Sequence, residues 1–198
     1  MKLPVEISSK LNWIRSAAYF FKKHFIVVFG LGLIAAFGRT IQLGAFGPIT
    51  SWLNISLEII IESARIAIFL YVLGLANIKK GLLRIRHLFT DKVNLKQNLV
   101  VAGNKVKKQW SAILLNIVVF SVIAWTINYI IELLAYQTCL YITLKQGGVL
   151  SESSSEWVVL LFFKNISVIP FTLIFNALFA LWITNKLKNL MPAKLQVK

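Results

Sequence analysis

Six charged residues stand inside otherwise apolar stretches of the sequence, and their chemistry needs an explanation before any other feature. Glu58, Glu62 and Arg65 are spaced four and three residues apart, which places them on one face of a helix. The remaining members of the set are Arg39, Glu132 and Lys164. A charge at the centre of a bilayer costs about 2.5–3.5 kcal/mol on insertion scales, so these side chains must face protein or water.

Two interpretations of these three cations and three carboxylates are open. In the first, they form an ion-pair network that holds helices together, and the pairs that would neutralise all six are Arg39–Glu58, Glu62–Arg65 and Glu132–Lys164. In the second, the carboxylates and an arginine line a pore or relay protons or ions through the membrane. A charged group on another subunit is a third source of neutralisation.

The elements that position these charges are predicted to be membrane-spanning helices. Of the 198 residues, 58% are hydrophobic and 15% are charged, and the mean hydropathy is +0.73. A soluble domain carries about 25% charged residues, because it needs a polar surface. Four apolar stretches reach the roughly 20 residues that cross a bilayer core, and they cover residues 25–46, 53–76, 110–139 and 157–185. Because lipid cannot satisfy backbone polar groups, the sequence predicts four transmembrane helices in one all-α domain over residues 1–198.

The orientation of the chain follows from where its excess of basic residues lies. Lys and Arg number 22 against seven Asp and Glu, a net charge of +15. Residues 77–109 hold nine basic residues against Asp91, whereas residues 145–156 hold Lys145 against Glu152 and Glu156. Residues 1–24 and the C-terminal tail are also basic. Since cytoplasmic loops carry the excess of Lys and Arg, both termini and the basic loop 77–109 are predicted to be cytoplasmic.

The basic flanks also resemble short amphipathic helices at the membrane interface. One apolar stripe at helical spacing comprises Leu11, Ile14, Ala18, Phe21 and Phe25, and a second comprises Leu95, Leu99, Ala102 and Val106. Such helices attract anionic lipid, although the basic residues could equally serve only to fix the topology. A cytoplasmic acidic protein or an RNA is a further candidate partner. The predicted lipid or partner contacts are Lys79, Lys80, Arg84, Arg86, Lys105, Lys107 and Lys108.

The sequence gives weak grounds for an enzyme. Its one cysteine, Cys139, rules out an internal disulfide and a paired-thiol motif, and its two histidines, His24 and His87, cannot form a histidine cluster. Nucleotide-binding loops and hydrolase nucleophile motifs do not occur in it. We therefore nominate no catalytic residue, no metal site and no cofactor.

Three functions are consistent with a multi-pass protein of a cytoplasmic or inner membrane. The favoured hypothesis is a non-enzymatic accessory, immunity or assembly subunit that acts through its basic cytoplasmic face. The alternative is a homo-oligomeric pore with a polar path along the second span, and a further alternative is a membrane enzyme that acts on lipid. The accessory hypothesis predicts that the six charges pair within one chain, and the pore hypothesis predicts that a polar face turns toward the axis of an oligomer.

Overall fold

All regular secondary structure in the described part of the chain is helical. The structure, a computed structural model, describes residues 11–90, 92–184 and 186–187. No strand occurs among these residues, which confirms the all-α prediction for them. The helices are α1 (Asn12–Lys23), α2 (Phe25–Gln42), α3 (Ser51–Leu73), α4 (Ile78–Thr90), α5 (Lys92–Tyr136), α6 (Leu140–Gln146), α7 (Trp157–Ile166) and α8 (Val168–Ile183). Residues 1–10 and 188–198 of the predicted basic termini, Asp91, and Asn185 at the end of the fourth apolar stretch lie outside the described residues.

Among the described residues, three helical segments are long and apolar enough to cross a membrane. They are Phe25–Gln42, Leu95–Tyr136 and Trp157–Ile183. A fourth candidate is the pair of helices Ser51–Leu73 and Ile78–His87, which meet at a bend of 84°. The pair is long and apolar enough to cross a membrane only if the two helices are taken together as one broken span. Helix α3 is long enough but is not apolar enough to count as a span by itself, because it contains Glu58, Glu62 and Arg65. The helices are thus compatible with a multi-pass membrane protein.

The basic segment at residues 77–109, predicted to connect two spans and to contain an amphipathic helix within residues 95–106, is almost entirely helical. Helix α4 occupies its first part, and α5 begins at Lys92 and continues for 45 residues. At about 1.5 Å per residue, α5 is longer than a bilayer core is thick, so it combines a polar and an apolar segment. Gln109 departs from helical geometry, with φ −127° and ψ 29°, and marks the kink between the two segments.

The fourth apolar stretch is divided into two helices at Ser167, which has φ −124° and ψ −78°. Pro170 explains the position of this break, because it has no backbone N–H to donate to the carbonyl of Ile166 and its ring clashes with that carbonyl. The proline itself is fully buried. The sequence predicts a kink here, and the structure shows that the helix ends and restarts.

A tight turn between α3 and α4 depends on two glycines. A Cβ atom on Gly74 would lie 1.8 Å from the carbonyl oxygen of Asn77, and one on Gly81 would lie 2.0 Å from that of Leu70. Both distances are far below van der Waals contact, so no side chain fits at either position. The two backbones therefore approach as closely as they do only because these residues lack a Cβ.

The chain forms two compact units. Unit 1 comprises the described residues of 1–25, 69–122 and 173–198. Its aromatic core surrounds Trp13, whose ring centre lies 4.9 Å from that of Phe175, 4.6 Å from that of Phe179 and 5.3 Å from that of Trp182. Helix α1 is thus anchored in unit 1 by an aromatic side chain.

The apolar face of α1 differs from the predicted stripe. Leu11 and Ile14 are buried as that stripe requires, but Ala18 and Phe25 are exposed. The buried face instead runs through Trp13, Ala17 and Phe20. Trp13 is the cause, because its large ring fills the space among three aromatic rings and rotates the face by one position. In the second predicted stripe, Leu99 and Val106 are exposed.

Unit 2 comprises residues 26–68 and 123–172. One part of its core is formed by Ala35, Ile61 and Ala64 on α2 and α3. Gly38 lets these helices approach, because a Cβ there would lie 2.7 Å from Cγ1 of Ile61. The second part is built from α5, α6 and α7, and its buried members include Ile131, Ala135, Tyr141, Leu150, Val158, Val159 and Leu160.

Candidate functional site

The six charged residues singled out in the sequence all lie in unit 2, on helices α2, α3, α5 and α7. Arg39 on α2 is the central group. Its Nη1 lies 3.0 Å from Oε2 of Glu58, its Nη2 lies 3.3 Å from Oε1 of the same carboxylate, and Nη2 also lies 3.8 Å from Oε1 of Glu62. The guanidinium therefore bridges two carboxylates that stand one helical turn apart on α3.

Gln42 completes the hydrogen bonding at one end of this group. Its Nε2 donates to Oε2 of Glu58 at 3.0 Å and to the backbone carbonyl of Asn54 at 2.9 Å. Its Oε1 accepts a hydrogen bond of 2.8 Å from Nη1 of Arg39. One amide thus serves both members of the ion pair. Sequence reasoning missed Gln42, although its position three residues after Arg39 is the signal that could have identified it.

Arg65 completes the contacts at the other end of this group of charged residues, next to Glu62. Its Nη1 donates to Oε1 of Glu62, and its Nη2 donates to Oδ1 of Asn165 on α7 at 2.8 Å. Asn165 is buried and also donates from Nδ2 to the carbonyl of Leu161 at 2.8 Å. The Nε atom of Arg65 is buried without a hydrogen-bond partner in the described residues. Asn165 is the second site residue that the sequence did not nominate.

These contacts form one continuous chain of polar side chains, which we call the charge ladder. Its members in order are Gln42, Glu58, Arg39, Glu62, Arg65 and Asn165. From Glu58 to Arg65 the ladder follows α3 for seven residues, about 10 Å at 1.5 Å per residue. It links α2, α3 and α7 through hydrogen bonds and ion pairs alone.

Glu132 and Lys164 form a separate and looser pair, with Oε1 and Nζ 3.9 Å apart. All three pairs that neutralise the six charges are therefore present, together with the additional contact between Arg39 and Glu62.

The carboxylates are more exposed than the cations. The side chains of Glu58, Glu62 and Glu132 are 48%, 46% and 52% exposed. By contrast, the side chains of Arg39, Arg65 and Lys164 are only 20–24% exposed. The cations are held between helices, and the carboxylates close the network on its outer side. Each carboxylate thus keeps an edge that another molecule can reach.

The basic residues predicted to contact lipid or a partner fall into two groups in unit 1. Five are exposed, namely Lys79, Lys80, Arg86, Lys107 and Lys108. The other two are half-buried and make internal contacts: Arg84 donates to the carbonyl of Leu73, and Lys105 donates to the carbonyl of Trp182. The exposed group is therefore the part available for contact with another molecule.

Charge is divided unequally between the two units. The described residues of unit 1 include no Asp or Glu, and Glu6 and Asp91 lie outside the described residues. Unit 2 holds both signs: its cations are Arg39, Arg65, Lys145 and Lys164, and its carboxylates are Glu58, Glu62, Glu132, Glu152 and Glu156. Among the described residues, unit 1 therefore carries only positively charged side chains, whereas unit 2 is nearly neutral.

No known protein family matches the chain, and comparison with curated proteins and with solved structures finds no match either. The interpretation of the site therefore rests on its own geometry.

Proposed function

We propose that this chain is a four-span membrane protein whose termini and basic helices face the cytoplasm. The three apolar segments, with α3 as the fourth span, supply the crossings. The confinement of described carboxylates to unit 2 supports the orientation, because basic residues without acidic ones accumulate on the cytoplasmic side. In this arrangement the charge ladder lies within the bilayer, where its pairing offsets the cost of burying charge.

Its role in this proposal is that of a non-enzymatic accessory, immunity or assembly subunit. The observation that supports this role is the pairing of all six charged side chains within a single chain. A conducting path needs polar groups that exchange partners with ions or water, whereas Arg39 and Arg65 are already engaged by carboxylates and amides. The charge ladder is therefore better suited to holding the helices together than to conducting ions.

The surface through which such a subunit acts is the exposed basic part of α4. Lys79, Lys80 and Arg86 are exposed there. Because they are exposed and positively charged, these side chains are available to an acidic surface on a cytoplasmic partner.

Site-specific crosslinking in cells tests this role. A photoreactive amino acid is placed at Arg86, and the protein is produced in its own membrane. We expect one discrete crosslinked product, which the double variant Lys79→Glu and Lys80→Glu abolishes. Lys145→Glu is the matched control, because Lys145 lies in unit 2 beside Glu152, and it should leave the product unchanged. Failure to form a product, or a product indifferent to both charge reversals, contradicts the proposal.

One observation favours a second function, a homo-oligomeric pore. The carboxylates of Glu58, Glu62 and Glu132 are about half exposed, and lipid cannot solvate them. Facing the axis of an oligomer would hydrate them.

Ion flux through the purified protein in liposomes separates the two functions. For an accessory subunit we expect no flux above that of empty liposomes over a range of voltage and pH. Flux that changes in size or selectivity with Glu62→Gln or Arg65→Gln would establish the pore instead.

A further inference from the structure

An open cavity of about 330 Å³ lies beside the kink of α5, in unit 1. It is lined by Val101, Asn104, Lys105, Lys108 and Gln109. The first four recur at spacings of three and four residues, so they share one face of the helix. Gln109 is the residue with non-helical φ and ψ. Two lysines and two residues with side-chain amides thus line one concave surface.

Lys105 is positioned at the wall of this cavity by Trp182 on α8. Its Nζ donates to the backbone carbonyl of Trp182 and lies 4.0 Å from the centre of the indole ring. A cation over an aromatic face is held in place by the ring's negative potential. The ammonium is therefore fixed at the cavity, unlike that of Lys107, which is exposed and does not line it.

We propose that this cavity binds the phosphate group of an anionic phospholipid. Lysine ammonium groups and amide N–H groups are donors to phosphate oxygens, and the ammonium groups supply the opposite charge. The proposal rests on the membrane placement proposed above, which puts the start of the apolar part of α5 at the level of the headgroups.

A lipid fits this cavity better than a soluble phosphate, because the apolar segment of α5 begins directly beside it. Trp110 follows Gln109 and is exposed, and Leu114, one turn further along, is also exposed. Acyl chains attached to a phosphate in the cavity can lie along these side chains. An RNA, by contrast, would engage basic residues along an extended surface and not only those of one cavity.

Lipid retention by the full-length protein tests the proposal. Purified protein in detergent is titrated with phosphatidylglycerol or phosphatidylcholine, and bound lipid is counted by native mass spectrometry. We expect preferential retention of phosphatidylglycerol by the wild type. Lys105→Gln and Lys108→Gln should each weaken that binding about fivefold, the effect of one basic residue near a charged surface. Lys107→Gln is the matched control and should change it less than twofold.

Further measurements distinguish a lipid from a soluble phosphate, from an RNA and from binding to a diffuse basic surface. Soluble glycerol phosphate should not compete at concentrations that saturate the lipid, and competition by it would overturn the lipid assignment. Binding of a single-stranded RNA that is lost with Lys105→Gln and Lys108→Gln, without preference for phosphatidylglycerol, would also overturn it. Equal losses in all three lysine variants would replace the cavity with a diffuse basic surface.

Lys108→Gln and Lys105→Arg keep the test valid if Lys105→Gln disturbs the packing on Trp182. Lys108 is exposed, so its substitution removes charge without removing an internal contact seen for Lys105. Lys105→Arg retains the charge and should restore lipid binding. Because crosslinking at Arg86 does not depend on this cavity, failure of the lipid proposal leaves the accessory proposal standing, and the reverse holds as well.

Discussion

Arg39 and Glu62 each contact two groups of opposite charge, and this sharing distinguishes the charge ladder from a set of isolated ion pairs. Glu62 accepts from Arg65 and lies 3.8 Å from Arg39, and Arg39 in turn is bidentate to Glu58. Removing either shared residue therefore leaves more than one partner without its counter-charge. The pair of Glu132 and Lys164, at 3.9 Å, has no such connection.

Neutralisation of Arg39 should be more damaging than neutralisation of Lys164 in the separate, looser pair. Loss of one partner of a fully buried pair costs about 3–5 kcal/mol. Since Glu58 and Glu62 are about half exposed, we expect Arg39→Gln to lower the free energy of unfolding by about 1–2 kcal/mol. The measurement is denaturant unfolding in mixed micelles, followed by circular dichroism.

Two further variants control this prediction. Lys164→Gln breaks the looser pair and should lower the free energy of unfolding by less than about 1 kcal/mol. Adding Glu58→Gln to Arg39→Gln should recover part of the loss, because the two residues are coupled. The ranking fails if Lys164→Gln is as damaging as Arg39→Gln.

His24 is the residue whose environment predicts a dependence of stability on pH. Its ring centre lies 4.4 Å from that of Phe20, and its Nδ1 lies 3.0 Å from the hydroxyl of Tyr71. Burial, and secondarily the charge of Lys23, lowers the pKa of this imidazole below its ordinary 6.5. The folded protein thus favours the neutral ring, which can accept the tyrosine proton at Nδ1.

The sign of the pH effect follows from that lowered pKa. The unfolded chain binds a proton at its ordinary pKa of 6.5, and the folded chain binds it only at a lower pH. The free energy of unfolding should therefore fall as pH drops below 6.5 and level off once folded His24 is protonated. Thermal unfolding between pH 8 and pH 5 measures this. His24→Gln should reduce the slope, and His87→Gln, on the exposed part of α4, should keep it.

At the scale of the element, sequence reasoning identified the helices better than their ends and faces. Pro170 is visible in the sequence, so the interruption of the fourth stretch was predictable, but the break falls at Ser167. The face of α1 was not predictable from periodicity, because the rings around Trp13 come from a distant part of the chain. The apolar spacing within residues 95–106 predicts a helix there, but not its continuation into the third span as one 45-residue helix, because polar residues interrupt the apolar pattern between the two segments.

The approach of α2 to α3 should depend on Gly38 and not on other glycines of α2. A Cβ at Gly38 would lie 2.7 Å from Cγ1 of Ile61, which is fully buried. We expect Gly38→Ala to lower the free energy of unfolding by about 1–3 kcal/mol through overpacking. The same unfolding assay in mixed micelles measures it.

Gly30 provides the matched control on the same helix. A Cβ at Gly30 would meet no atom within 4 Å, so the substitution adds no clash. Because alanine favours a helix over glycine by roughly 0.5–1 kcal/mol, Gly30→Ala should leave stability unchanged or raise it slightly. Equal losses for both variants would mean that the close approach at Gly38 does not limit the packing.

At the scale of the molecule, the distribution of charge could be predicted from the sequence, but only some members of the charge ladder could. Charged residues in apolar stretches stand out, and their equal numbers suggested the pairs. Gln42 did not stand out, because a neutral amide costs less to bury than a charge. Asn165 was recognisable only as an amide inside a span that hydrogen-bonds across helices, because tertiary contact decides its partner. Gly32 on α2 shows how closely the helices approach at Asn165, since a Cβ there would lie 3.0 Å from the backbone carbonyl oxygen of Asn165.

The proposed orientation makes opposite predictions for two positions of one thiol. Cys139 is the sole cysteine of the chain, is exposed, and follows the end of α5 at Tyr136. A membrane-impermeant maleimide added to intact cells should label it, because the proposal places this end of α5 outside the cytoplasm. Cys139→Ser should remove the label. Moving the thiol to α4 with Cys139→Ser and Lys79→Cys should restore labelling only after the membrane is permeabilised, since Lys79 is exposed on the basic side. The reverse pattern would invert the topology and place the basic surface of α4 beyond reach of any cytoplasmic partner.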